Sequence, residues 1–98
     1  MLLKPRIATN LPAAELERVV GRYQLAPGIV VTIARGGEGL MAQVTGQDPV
    51  AILSEAPLHF FYRVVDAQIQ FTTDGAGRVS GLIFTQNGRS TRGPKLLP

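Results

Sequence analysis

The chain has no cysteine, no tryptophan and a single histidine, His59, in 98 residues. Without thiols there can be no disulfide, thiolate zinc site, iron–sulfur ligation or cysteine nucleophile. One imidazole cannot build a multi-histidine metal centre, and the seven carboxylates lie scattered without the spacing of a ligand cluster. No uninterrupted apolar run exceeds five residues, far short of the ~20 needed for a membrane helix. Met1-Leu2-Leu3-Lys4-Pro5 is too short for the apolar region of a signal peptide, and no small-residue cleavage site follows it. The chain as written is therefore expected to stay in the cytoplasm, and to be exported only within a secreted or periplasmic parent.

Concentrated charge is also missing. Ten basic residues against seven acidic ones give a net charge of +3, and eight of the ten are arginine. They are dispersed from Lys4 to Lys95, with no five-residue basic run. A solvated, mildly basic surface explains this better than a nucleic-acid footprint, so no nucleic-acid partner is expected. Hydrophobic residues make up 45% and charged residues 17%, too apolar for a disordered chain, and the length suits one domain.

Residues 1–10 read as a tail or linker, punctuated by Pro5, Thr9 and Asn10. Residues 11–98 read as the domain. A short helix starts at Asn10 or Leu11 with Pro12 in its first turn, where a missing N–H is harmless. Leu16, Val19 and Val20 form its apolar face, and Gly21 closes it. Two to three turns are marginal alone, so the helix must dock on something.

Beyond Gly21 the apolar period falls to two. The alternation and turn signals predict eight strands: 22–26, 29–35, 40–45, 50–54, 59–65, 67–73, 79–86 and one from Arg89 towards Leu96. Pro27-Gly28, residues 36–39, residues 46–49, Pro57, Asp66, residues 74–77 and Asn87-Gly88 separate them. Eight short strands without intervening helices make an antiparallel meander, and such a meander leaves two raw edges unless it closes. The fold class is thus mainly β: a small antiparallel up-and-down barrel of about eight strands with one short N-terminal helix over a mouth or flank. A flattened sandwich of the same strands is the alternative.

Few motifs carry chemistry. Gly37-Glu38-Gly39-Leu40-Met41-Ala42 matches a dinucleotide fingerprint, but Gln43-Val44-Thr45-Gly46 cannot supply the helix N-terminus that holds a pyrophosphate, so a hairpin is expected. Asp74-Gly75-Ala76-Gly77 lacks the further carboxylates of a calcium loop and reads as a turn. His59 has no nominated nucleophile or orienting acid, and Ser54, Ser80 and Ser90 sit in no nucleophile motif. Phe60, Phe61, Tyr62 and Arg63 could form a stacking platform, except that consecutive strand residues point to opposite faces. No catalytic, cofactor-binding or metal-binding residue is therefore nominated, and no cofactor is expected.

An ordered series of segments nonetheless resembles a known family. Gly21-Arg22-Tyr23-Gln24-Leu25 with Pro27-Gly28, and Leu40 to Gln47, are similar to the first half of its pattern. Phe60-Phe61, Asp66 to Phe71, Gly77-Arg78-Val79 and Phe84 to Gly88 are similar to the second. The family is the lipocalin-like C-terminal domain of β-lactamase-related, penicillin-binding-protein-like serine hydrolases and peptidases.

In that family the catalytic residues lie in a separate N-terminal domain, so the resemblance carries no catalytic residue onto this chain. It implies a non-catalytic accessory domain that packs against the hydrolase, in cis or in trans, or helps it assemble. Self-association is the companion possibility, and a small apolar-ligand-binding module is the alternative function. The strand face with Gln68 and Gln70, and the aromatic strand with Phe60 and Tyr62, are the expected contact surfaces. Tyr23 is expected to enter the base of the barrel as a fold determinant, with its hydroxyl on a polar partner.

Overall fold

The computed structural model describes residues 11–36, 39–62 and 65–96. The first element is α1 (Ala13–Val19), followed by β1 (Gly21–Ala26), β2 (Ile29–Gly36), β3 (Gly39–Val44) and β4 (Val50–Ala56). Then come β5 (His59–Tyr62), β6 (Ala67–Thr73), β7 (Val79–Gln86) and β8 (Arg89–Pro94). All eight strands lie in one antiparallel sheet whose spatial order is the chain order. Sheet coiling brings its first and last strands back together. Tyr23 and Lys95 form an antiparallel bridge, and the Leu96 N–H donates to the Arg22 carbonyl at 2.7 Å. The result is a nearly closed up-and-down barrel, and the sandwich alternative does not apply.

Alternation decides what fills it. Tyr23, Val31, Ile33, Leu40, Ala42, Ile52, Phe60, Ile69, Phe71 and Leu82 are buried in one cluster that also takes in Leu16 and Val19 of the helix. Phe71 is the hub of the aromatic packing, 5.5 Å from the Tyr23 ring and 5.6 Å from the Phe60 ring between centroids. The first pair is tilted and the second edge-to-face, and aromatic pairs of this kind each add about 0.5–1.5 kcal/mol to the burial itself.

A seven-residue helix has no stability of its own and depends on docking. It closes one end, the base, through buried Leu16 and Val19. Around that plug, Arg35 at the end of β2 pairs with Glu17 at 3.0 Å, and Arg18 donates to the Gly77 carbonyl of the β6–β7 turn at 3.0 Å. Pro12 is the N-cap residue, just before the helix, and its carbonyl accepts the Glu15 and Leu16 N–H groups.

Several boundaries differ from the sequence reading. Gly21 opens β1 instead of ending the helix, which Val20 caps with extended backbone. Its φ of +154° is a backbone state that favours glycine, and a Cβ there would also push the end of the Lys95 side chain aside. β4 continues through Ala56 across an irregularity in its pairing with β5; β5 spans His59–Tyr62, Val65 lies in a bend, and residues 63–64 are outside the described residues. The tail over residues 1–10, Gly37-Glu38 and Arg63 lie outside the described residues. Strand β3 begins immediately after Gly37-Glu38, so the would-be dinucleotide motif leads into a hairpin, with Gly36 and Gly39 paired across it. Among the described residues no helix is long and apolar enough to cross a membrane.

Candidate functional site at the barrel mouth

Strand direction separates the two ends. The base carries the helix and the β6–β7 turn; the opposite end carries the β1–β2, β3–β4, β5–β6 and β7–β8 connections. Inward-facing residues near the base are packed shut, whereas those near the other end surround a cavity of about 470 Å³. Its walls include Leu25, Val44, Val50, Tyr62, Ala67 and Phe84. Gln47, Gln86 and Thr91 supply the few polar groups, while Ile29 and Val65 line the same cavity. Ile29 is 39% and Val65 47% exposed, and these are the exposed large apolar side chains among the described residues.

This mouth follows from the sequence pattern. The inward positions of the strand segments at that end carry short or slender side chains such as Ala67, Val44 and Val50, which cannot meet across the barrel. Two rings partly fill the gap, Tyr62 and Phe84, edge-to-face with centroids 5.9 Å apart. Burial pushes the Tyr62 hydroxyl above the ordinary phenol range, so it remains a protonated hydrogen-bond donor into the alkaline range as well.

The expected aromatic contact face is not on the exterior. Phe60 is 1% exposed and belongs to the interior cluster, and Tyr62 points into the mouth. Phe61 has the opposite orientation, and it too is buried. The physical reason is that β5 carries apolar side chains on both faces, so alternation separates Phe61 from its neighbours without telling which side is inside. Gln70 is exposed as expected, but Gln68 is half-buried, with its Oε1 2.9 Å from His59 Nε2.

His59 begins β5 and holds its imidazole between Gln68 and Glu55, whose Oε2 lies 3.4 Å from Nδ1. The serine hydroxyls have other surroundings. Ser80 donates to the Thr72 carbonyl at 3.5 Å, Ser90 shares a 2.9 Å hydrogen bond with Thr85, and Ser54 is buried beside Phe60 in register. Glu55 is thus a histidine partner that no sequence motif nominates; its four-residue spacing from His59 across the β4–β5 turn is the only signal. Among the described residues no group of three or more His, Asp or Glu could hold a metal ion. Asp74 is a turn residue: its Oδ1 accepts the Ala76 and Arg78 N–H groups at 2.9 and 3.0 Å.

Fold and mouth together define a small helix-plugged antiparallel barrel with an apolar opening. The chain belongs to the family described as domain of unknown function DUF3471, whose model matches residues 5–94. Comparison with curated proteins gives no match.

Proposed function

We propose that the chain is a non-catalytic accessory and interaction domain. In this reading it packs against a β-lactamase-like serine hydrolase domain, in cis or in trans, or helps such a domain assemble. The observation that carries the reading is the asymmetry of the barrel. One end is sealed by α1 and its ion pairs, and the other presents an apolar opening edged by exposed Ile29 and Val65. Exposed apolar side chains around a concave surface are the usual mark of a binding face. The separation of His59 from the hydrogen-bond partners of Ser80 and Ser90 supports a role in binding over one in nucleophilic catalysis.

Light scattering on mixtures of the chain with a β-lactamase-like serine hydrolase domain tests this. A defined complex is expected, together with no labelling of the chain by fluorescent penicillin. Stoichiometric labelling of one of its own serines would overturn the non-catalytic assignment.

A second reading, a small apolar-ligand binder, is favoured by the cavity itself. Its ~470 Å³ falls within the range of small-molecule pockets, and its lining is mainly apolar with a few hydrogen-bonding groups.

A further inference from the structure

The mouth does not end at its apolar walls. A second hollow, lined by Phe84, Gln86, Asn87, Arg89 and Thr91, shares Phe84, Gln86 and Thr91 with the cavity. On β8, Arg89 stands two residues from Thr91 and therefore on the same face of the strand. Across the hairpin it pairs in register with Gln86, itself part of the cavity wall.

The guanidinium of Arg89 is exposed and has no ion pair among the described residues. This distinguishes it from Arg18 and Arg35, which are spent on Glu15 and Glu17 at the base. The carboxylates at the mouth end, Asp48 and Asp66, are exposed turn residues and neither is paired with Arg89. An apolar chamber therefore opens onto an uncommitted planar cation, the group best suited to grip a carboxylate with two parallel hydrogen bonds.

We propose that the mouth binds a small amphipathic monoanion, with its aliphatic or aryl tail among Leu25, Val44, Val50 and Phe84 and its carboxylate on Arg89. The assignment rests on the ligand-binding reading of the cavity and adds to it the charge and polarity of the occupant. Burying the tail supplies most of the affinity, and Arg89 fixes its orientation and selects the sign of the head group. The net charge of +3 favours the approach of an anion.

Decanoate, decanol and decyltrimethylammonium, each below its micellisation range, share one tail and differ in head group. Calorimetric titration of each into the full chain is expected to rank decanoate first. Arg89→Gln should weaken decanoate about tenfold and leave decanol unchanged. Ala67→Leu should fill the cavity and suppress both ligands. Val65→Ser, at an exposed position where folding is not at risk, should weaken both several-fold.

Equal affinity for decanoate and decanol, with no response to Arg89→Gln, would overturn the anion assignment while leaving a ligand-binding mouth. Tighter binding of the cationic probe would overturn it as well. No saturable binding of any of the three would overturn both this inference and the ligand-binding reading beneath it.

Discussion

The Tyr23 hydroxyl donates a 2.7 Å hydrogen bond to the Val19 carbonyl, so the first strand holds the last turn of the helix from inside the barrel. Both residues are completely buried. One side chain thus fills the base of the core, packs at a tilt on Phe71 and satisfies a carbonyl that the helix end leaves without an intrahelical partner. Tyr23→Ala should cost about 3–5 kcal/mol in denaturant unfolding, and Tyr23→Phe only about 1–2, the value of the buried hydrogen bond. A Tyr23→Ala variant as stable as its parent would mean that the ring does not support the base.

Burial also holds the Tyr23 hydroxyl above the usual phenol range, as it does for Tyr62. The unfolded chain releases these protons near pH 10, whereas the folded chain keeps them. Above that pH the unfolded state therefore binds fewer protons, and stability must fall as pH rises. Stability should be complete below about pH 10 and decline through the strongly alkaline range, with a shallower decline in Tyr62→Phe. A stability curve that stays flat up to pH 12 would contradict the burial of both hydroxyls.

The β7–β8 hairpin turns through Asn87 at φ 51° and Gly88 at φ 82°, the left-handed pair that a two-residue hairpin demands. Asn87→Ala should lower stability by roughly 1 kcal/mol, and Asn87→Gly by less. Chemical denaturation of the two variants side by side checks the order.

At the base, Asp74→Ala removes two acceptor contacts from the β6–β7 turn and should cost about 1–2 kcal/mol. The loss should be largely recovered in Asp74→Asn, whose carbonyl can still accept from Ala76 and Arg78. Because Arg18 also holds the Gly77 carbonyl of this turn, faster amide exchange in the Asp74→Ala turn should extend to α1. Exchange confined to the turn itself would show that turn and helix are uncoupled.

Much of this architecture is legible in the chain. Ile69 and Phe71 against Gln68 and Gln70, or Val31 and Ile33 between half-buried and exposed neighbours, announce both the strand and its inner face. Asn87-Gly88 and Asp74 announce their turns because the residue types fit the backbone those turns need. Strand β5 failed for a definite reason: His59-Phe60-Phe61-Tyr62 has no clearly polar face, so period two could not orient it. Gly21 is misplaced by sequence because a glycine after an apolar helix face reads as a helix stop, whereas here its φ of +154° opens a strand. The β4–β5 turn hides a further surprise, Leu58 at φ 68°, a backbone state that leucine avoids. It is held there by packing against the core and by a 2.8 Å hydrogen bond from the Phe71 N–H to the Leu58 carbonyl. The mouth is not legible at all, since its volume depends on how side chains from all eight strands fall short of one another across the barrel.

The proposed interaction domain works through the open end of its barrel. Amide chemical-shift mapping during titration with a β-lactamase-like serine hydrolase domain, the proposed partner, decides whether it does. Saturable shifts are expected around Ile29, Val65 and the β7–β8 turn, with the helix-plugged base unchanged. No shift on adding the hydrolase domain, with shifts at inward-facing mouth residues only when an apolar ligand is added, would contradict it.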